Sequence, residues 1–143
     1  MTDLDNPRII ANETGGTAPG ADTDAVWIDV CRADRAPLDR GVAALVDDQP
    51  VAIFRLSPTA DSREDEWFAV SHIDPATGAP IMARGLVGSA GAPPVVIPTL
   101  ASPLHKQRYN LRTGACLDDE SLHLQVFDIR VTDGMVEVCS SPK

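Results

Sequence analysis

The sequence predicts an all-β fold, and three features of the chain indicate it. From Val26 onward, short apolar runs are separated by residues typical of turns, which is the pattern of short strands. Twelve prolines and ten glycines interrupt the chain, and no long segment shows helical periodicity. Near the C-terminus, Asp133-Gly134 stands between two alternating apolar segments, which is a strong signal for a two-residue hairpin.

The strands are predicted in order along the chain. Residues 41–46 and 51–56 predict a hairpin with a loop over residues 47–50, because two acids and a proline disfavour a continued strand. Residues 67–70 predict a third strand after a polar loop. Residues 95–97 predict a short strand between prolines, and residues 106–111 predict another that ends at a turn over 112–115. The Gly-, Pro- and Ala-rich residues 75–94 predict a long loop, and such loops are often functional.

The C-terminal hairpin allows a prediction of register. A two-residue turn at Asp133-Gly134 pairs Arg130 with Glu137 on the outside. Alternation then turns the flanking apolar pairs, Ile129 with Val138 and Val131 with Val136, toward one buried face.

Length and composition set the domain organisation. The 143 residues suffice for one domain with its own core. Residues 1–25 are rich in small and acidic residues and poor in large apolar ones, so we expect a disordered acidic tail. The folded domain is expected over residues 26–140.

Charge and cysteine content narrow the partners and the compartment. The formal net charge is −9, and without a basic stripe it argues against nucleic acid and anionic membrane surfaces as partners. No apolar run approaches the roughly 20 residues of a membrane-spanning helix, and no secretion signal is evident. Cys31, Cys116 and Cys139 are odd in number and far apart, as expected of reduced core thiols. We therefore expect a cytoplasmic protein.

Two segments carry residues of the metal-ligand type. His72-Ile73-Asp74-Pro75 follows the third predicted strand, and Ser102-Pro103-Leu104-His105 precedes the strand that contains Tyr109. Their spacing resembles the two cluster-binding loops of Rieske iron–sulfur domains, which run Cys-x-His and Cys-x-x-His. The resemblance puts His72 and Asp74 at the ligand positions of the first loop, and Ser102 and His105 at those of the second. Because neither loop contains a thiol, these are interpreted as vestigial positions that hold no iron–sulfur cluster.

Within this group the chain resembles the small subunit of assimilatory NADH-dependent nitrite reductase, a Rieske-like domain that lacks the cluster ligands. The resemblance covers about residues 26–138. Its segments are residues 27–31, 51–55, 73–75, 84–86, 102–104, 106–108, 114–116 and 133–134. The chain departs from the family in its acidic tail, in a longer loop over 57–66 and in an Ala/Gly/Pro-rich insert at 89–94.

The resemblance implies a Rieske-like antiparallel β-sandwich, with two protruding loops in place of the cluster-binding loops. It also implies an accessory subunit of the NAD(P)H-dependent nitrite reductase that reduces nitrite to ammonium in nitrogen assimilation. FAD, sirohaem and an iron–sulfur cluster are then expected in the large subunit, and no cofactor and no catalytic residue in this chain. The sequence has no glycine-rich dinucleotide loop, which agrees with that expectation.

Two alternatives remain open. In the first alternative, the chain is a Rieske-type 2Fe–2S electron-transfer ferredoxin with unusual ligands. In the second, it is a mononuclear metal protein that uses His72, Asp74 and His105. Against the second alternative, these three residues are expected to hydrogen-bond one another and the loop backbone.

Three basic residues are candidates for contact with the large subunit. Strand alternation predicts that Lys106 and Arg108 point to one face, where Arg84 joins them in a basic spot that suits an acidic patch. The alternative is a solvated strand face with no partner. The acidic segments at 47–48 and 118–120 lack the spacing of a calcium loop and are interpreted as turns.

Overall fold

The computed structural model describes residues 26–58, 64–92 and 94–143, so the predicted tail over residues 1–25 lies outside the described residues. The strands are β1 (Trp27–Arg32), β2 (Gly41–Val46), β3 (Gln49–Leu56), β4 (Glu66–Ser71), β5 (Leu86–Ala92), β6 (Val95–Ala101), β7 (Arg108–Asn110), β8 (Val126–Thr132) and β9 (Met135–Pro142). One antiparallel sheet has the order β1-β9-β8-β4-β3-β2, and a second has the order β5-β6-β7. The predicted all-β antiparallel architecture is confirmed. No helix in the described part is long and apolar enough to cross a membrane.

Two hydrophobic clusters lie on the two faces of the larger sheet. On one face, Phe54 of β3 packs in a cluster with Leu100 of β6. This cluster joins the two sheets. On the other face, Ile53 packs with Val136 of β9, where the sheet curls so that β1 and β9 contact β2. β3 and β4 are therefore buried on both faces, which explains their uninterrupted apolar sequences.

The C-terminal hairpin has the predicted register, since all three predicted pairs between β8 and β9 form. Asp133 and Gly134 both have positive φ, and Arg130 forms an ion pair with Glu137. Burial follows the prediction only in part. The valines of β9 are buried, whereas Val131 is exposed because β8 extends past the two residues that pair it with β4.

The first hairpin is tighter than predicted. Asp47 and Asp48 alone form the turn, both with positive φ, and β3 begins directly after them. Pro50 belongs to β3, where it pairs with Leu45 of β2, and its carbonyl accepts the N–H of His72 at 3.0 Å. The proline nitrogen therefore points to the side where β4 has already ended, and no ladder hydrogen bond is lost.

The long loop predicted over residues 75–94 is wrong in its second half. Met82–Arg84 forms a 3-10 turn, and the seven residues of β5 all pair with β6. Glycine and alanine disfavour strands on their own, but β6 supplies a paired partner. Because β5 is an edge strand with mostly exposed side chains, it does not need large apolar residues.

The strand predicted over residues 106–111 is shorter in the structure. β7 has only three residues, and Lys106 lies before it with φ 63. Strand alternation therefore does not place Lys106 and Arg108 on one face, contrary to the prediction. The strands predicted at 67–70 and 95–97 are confirmed, each with longer bounds.

Candidate functional site

Two loops meet at one end of the domain: loop A, residues 72–81 after β4, and loop B, residues 102–107 after β6. The contact between them is a hydrogen bond of 2.7 Å from Ser102 Oγ to Asp74 Oδ2. The exposed fraction is 0% for Asp74 and 1% for Ser102, so the pair is inaccessible to water. A buried polar group costs free energy unless it is hydrogen-bonded, and each of these side chains satisfies the other.

Each member of the pair also organises its own loop. Asp74 Oδ1 accepts the N–H of Ala76 at 2.8 Å, and the Asp74 carbonyl accepts the N–H of Gly78 at 2.7 Å. Ser102 Oγ accepts the N–H of Leu104 at 3.3 Å, and its carbonyl accepts the N–H of Lys106 at 2.9 Å. The two side chains therefore fix the loop backbones and join them to each other.

His72 bonds to the 3-10 turn that follows loop A and does not bond to Asp74. Its Nδ1 accepts the N–H of Ala83 at 3.0 Å, and its carbonyl accepts the N–H of Met82 at 3.0 Å. Partial burial and the charge of Arg84 lower the pKa of the imidazole below its usual value. A neutral ring is the form that can accept a hydrogen bond at Nδ1.

His105 is exposed on loop B. Across the described ranges, no three His, Cys, Asp or Glu side chains converge as a metal site. The mononuclear alternative needed His72, Asp74 and His105 to converge, and the structure does not bring them together.

The donor set of the two loops does not fit a Rieske 2Fe–2S cluster. Such a cluster requires two thiolates and two imidazoles. The loops offer a serine hydroxyl and a carboxyl group, already hydrogen-bonded to each other, and two histidines, of which His72 bonds to Ala83 and His105 is exposed. The three cysteines lie in β1, beyond β7 and in β9, outside both loops, and none is paired with another.

Tyr109 of β7 is buried close to the hydrogen-bonded pair of Asp74 and Ser102. Burial is the main cause that raises its pKa to about 12, and nearby Cys116 and Asp74 add to it. Its Oη and the Oε1 of Gln107 are buried without a hydrogen-bond partner among the described residues. The sequence marked Tyr109 only as the aromatic residue after the second loop, and spacing alone did not indicate an enclosed phenol.

The candidate partner-binding residues separate into two groups. Arg84 and Lys106 are exposed, and neither forms an ion pair within the described residues. Arg108 donates to Asp118 at 2.9 Å and 3.2 Å, and this contact lowers the pKa of the Asp118 carboxyl group. Asp118 was interpreted from the sequence only as part of a turn, so the sequence did not indicate that Arg108 is paired.

The chain is similar to known proteins in sequence and in fold. Residues 26–139 match the family model of the Rieske-like [2Fe-2S] domain. The chain is 38% identical over 112 residues to the nitrite reductase (NADH) small subunit of Escherichia coli strain K12, covering 78% of this chain and 95% of that protein. A crystal structure assigned to the NADH-dependent nitrite reductase small subunit of Mycobacterium tuberculosis has a TM-score of 0.70 and 38% identity, covering 80% of this chain and 95% of that one.

A third relative differs in its organisation. The nitrite reductase [NAD(P)H] large subunit of Klebsiella oxytoca is 32% identical to this chain over 112 residues, which are 78% of this chain and 11% of that protein. In that protein, a domain similar to this chain is therefore a small part of a much longer polypeptide.

Proposed function

We propose that this chain, which belongs to the Rieske-like [2Fe-2S] domain family and within it to the nitrite reductase (NADH) small subunits, is the small subunit of an NADH-dependent nitrite reductase complex. The observation that carries the proposal is the 38% identity over 95% of the E. coli small subunit. The complex reduces nitrite to ammonium, and this chain supports that reaction as an accessory subunit.

The partner in this proposal is the large subunit of the same enzyme. The Klebsiella relative supports it, because a domain similar to this chain is covalently part of a protein named as that large subunit. Domains that occur in one polypeptide in one organism have to work in close proximity, and separate chains achieve this by docking. FAD, sirohaem and an iron–sulfur cluster belong to the large subunit in this proposal.

The chain itself is proposed to carry no cluster. Ser102 and Asp74 stand at ligand positions of the two loops, and their buried hydrogen bond joins the loops directly. Serine is a poor replacement for thiolate at iron. The scaffold is therefore proposed to contribute shape and contacts to the complex, and the ferredoxin alternative is disfavoured.

Metal analysis of the purified chain tests this part of the proposal. We expect no stoichiometric iron or acid-labile sulfide and no visible absorption, both in the isolated chain and in the chain released from its complex. Stoichiometric iron with sulfide would support the ferredoxin alternative instead. Co-purification of the tagged chain with the large subunit tests the other part, and the absence of any complex would overturn it.

The cytoplasm is the compartment proposed for this chain. The support is its three cysteines, none of which is paired with another in the structure, as is usual where thiols stay reduced.

A further inference from the structure

Large apolar side chains are exposed at the end of the domain where the two loops meet. Leu86, the first residue of β5, is 76% exposed, and Leu104 of loop B is 52% exposed. Single exposed apolar residues are common on proteins, so their significance depends on whether they are neighbours and on what surrounds them.

The pairing of β5 with β6 puts Leu86 at the base of the loop that carries Leu104. Leu86 pairs with Ala101, the last residue of β6, and the chain continues from there directly into loop B. Gly85 lies so close to Ala101 that an added Cβ would be 2.5 Å from the Ala101 carbonyl oxygen. The segment that carries Arg84 and Leu86 is thus held against the base of loop B.

Unpaired cations flank the leucines. Arg84 lies beside Leu86, and Lys106 lies two residues beyond Leu104; both are exposed, and neither has an ion-pair partner in the described part of the chain. Many other arginines of the described part form ion pairs, namely Arg32, Arg55, Arg108, Arg112 and Arg130. A protein with a net charge of −9 therefore presents, at this end of the domain, two exposed cations that have no ion-pair partner among the described residues. We call Arg84, Leu86, Leu104, His105 and Lys106 the tip surface.

We propose that the tip surface is the docking face for the large subunit of the nitrite reductase complex. This inference rests on the proposed function and identifies the surface through which the chain binds the large subunit. The matching region of the large subunit is apolar at its centre and carries carboxylates at its rim, because the leucines need burial and the cations need partners. Leu86 and Leu104 are the anchors, and the two cations steer association.

A second copy of this chain is a poorer occupant of the same face. A symmetric dimer brings each patch against itself, so that cations face cations. The net charge of −9 on each copy adds repulsion between the chains.

Binding of purified variants to the purified large subunit tests the proposal. Leu86→Asp and Leu104→Asp are each expected to weaken the Kd about tenfold or more, because each puts a charge at an apolar anchor. Val95→Asp is the matched control: Val95 is 66% exposed and lies at the other end of the same hairpin. It is expected to bind within about twofold of the wild type. Thermal unfolding of each variant verifies that it is folded.

Charge reversal gives a second readout that does not disturb packing. The Arg84→Glu/Lys106→Glu double variant is expected to associate more slowly and to lose the decrease in association rate with added salt that the wild type shows. Arg35→Glu, at an exposed arginine in the 3-10 turn after β1, is the control and is expected to behave as the wild type.

The outcomes separate the two levels of inference. If wild-type chain binds the large subunit and the tip variants bind as tightly as Val95→Asp, the docking face is wrong and the proposed function stands. If wild-type chain does not bind at all, the proposed function fails, and the docking face fails with it.

Discussion

The carboxyl group of Asp74 has two hydrogen-bond donors, one from its own loop and one from Ser102 on the other loop. In a Rieske domain, a cluster holds the two loops together through a ligand pair from each. In this chain a buried hydrogen bond between Ser102 and Asp74 joins the two loops. The loops therefore need no metal to stay in contact.

Removal of the Ser102 hydroxyl is expected to destabilise the protein. Ser102→Ala leaves Asp74 Oδ2 buried without its donor, a loss of about 1–3 kcal/mol in the free energy of unfolding. Urea unfolding followed by tryptophan fluorescence measures it. Ser121→Ala is the control, because it removes a similar serine–aspartate hydrogen bond that is exposed. Equal stability of the two variants would show that the buried bond has no special role.

Titration of Tyr109 measures directly whether its phenol is buried, since it is the single tyrosine of the chain. We expect its ultraviolet titration in the native protein to have a midpoint at about 12, against 10.0 for an ordinary phenol. Between these two pH values the unfolded chain loses the proton and the folded chain keeps it. The contribution of this phenol to the free energy of unfolding is therefore constant below pH 10 and is lost between pH 10 and pH 12. A midpoint near 10 with native circular dichroism would contradict the burial of this side chain.

Individual site residues could be predicted only up to a point. The sequence showed that neither loop contains a thiol, because this depends on residue type alone, whereas the assignment of residues to ligand positions stays a prediction. It did not indicate that His105 is exposed or that His72 bonds to Ala83. The exposure and the partners of these side chains depend on the backbone conformation of the loops, such as the positive φ of Lys106. The spacing of residues in the sequence does not determine that conformation.

The strands and turns illustrate which local signals are sufficient. The Asp133-Gly134 turn was predictable with its register because two consecutive positive-φ positions restrict both residue choice and pairing. β5 was not predictable, because its glycines and alanines have low strand propensity and its order derives from pairing with β6. Pro50 was wrongly predicted to lie in a loop for a related reason. The free-energy cost of a proline in a strand depends on which side of the strand its nitrogen faces.

Replacement of Gly134 tests the C-terminal turn. Gly134→Ala is expected to cost about 1–2 kcal/mol, because a residue with a Cβ must adopt φ near +81. The added Cβ itself meets no atom closer than Arg32 Nη2 at 3.6 Å, so the cost is one of backbone conformation. Gly88→Ala in β5, with ordinary φ and its nearest neighbour at 3.4 Å, serves as the control in thermal unfolding. No difference between the two variants would show that the turn tolerates other conformations.

The whole domain retains a Rieske-like architecture although its loops do not fit the cluster. Two hydrophobic clusters of buried side chains, one on each face of the larger sheet, provide the core. The sequence predicted this fold class through turn chemistry and apolar runs, and family resemblance supplied the architecture. The exposed leucines of the tip surface were not predictable, because leucine is usually a core residue and only the tertiary arrangement shows that it is uncovered.

The most direct test is ammonium formation from nitrite and NADH by the large subunit, measured alone and with increasing amounts of this chain. We predict that chain free of iron and sulfide raises the rate and that the effect saturates at a fixed ratio of the two subunits. An unchanged rate, or a rise only with preparations that contain stoichiometric iron and sulfide, would contradict a cluster-free accessory subunit.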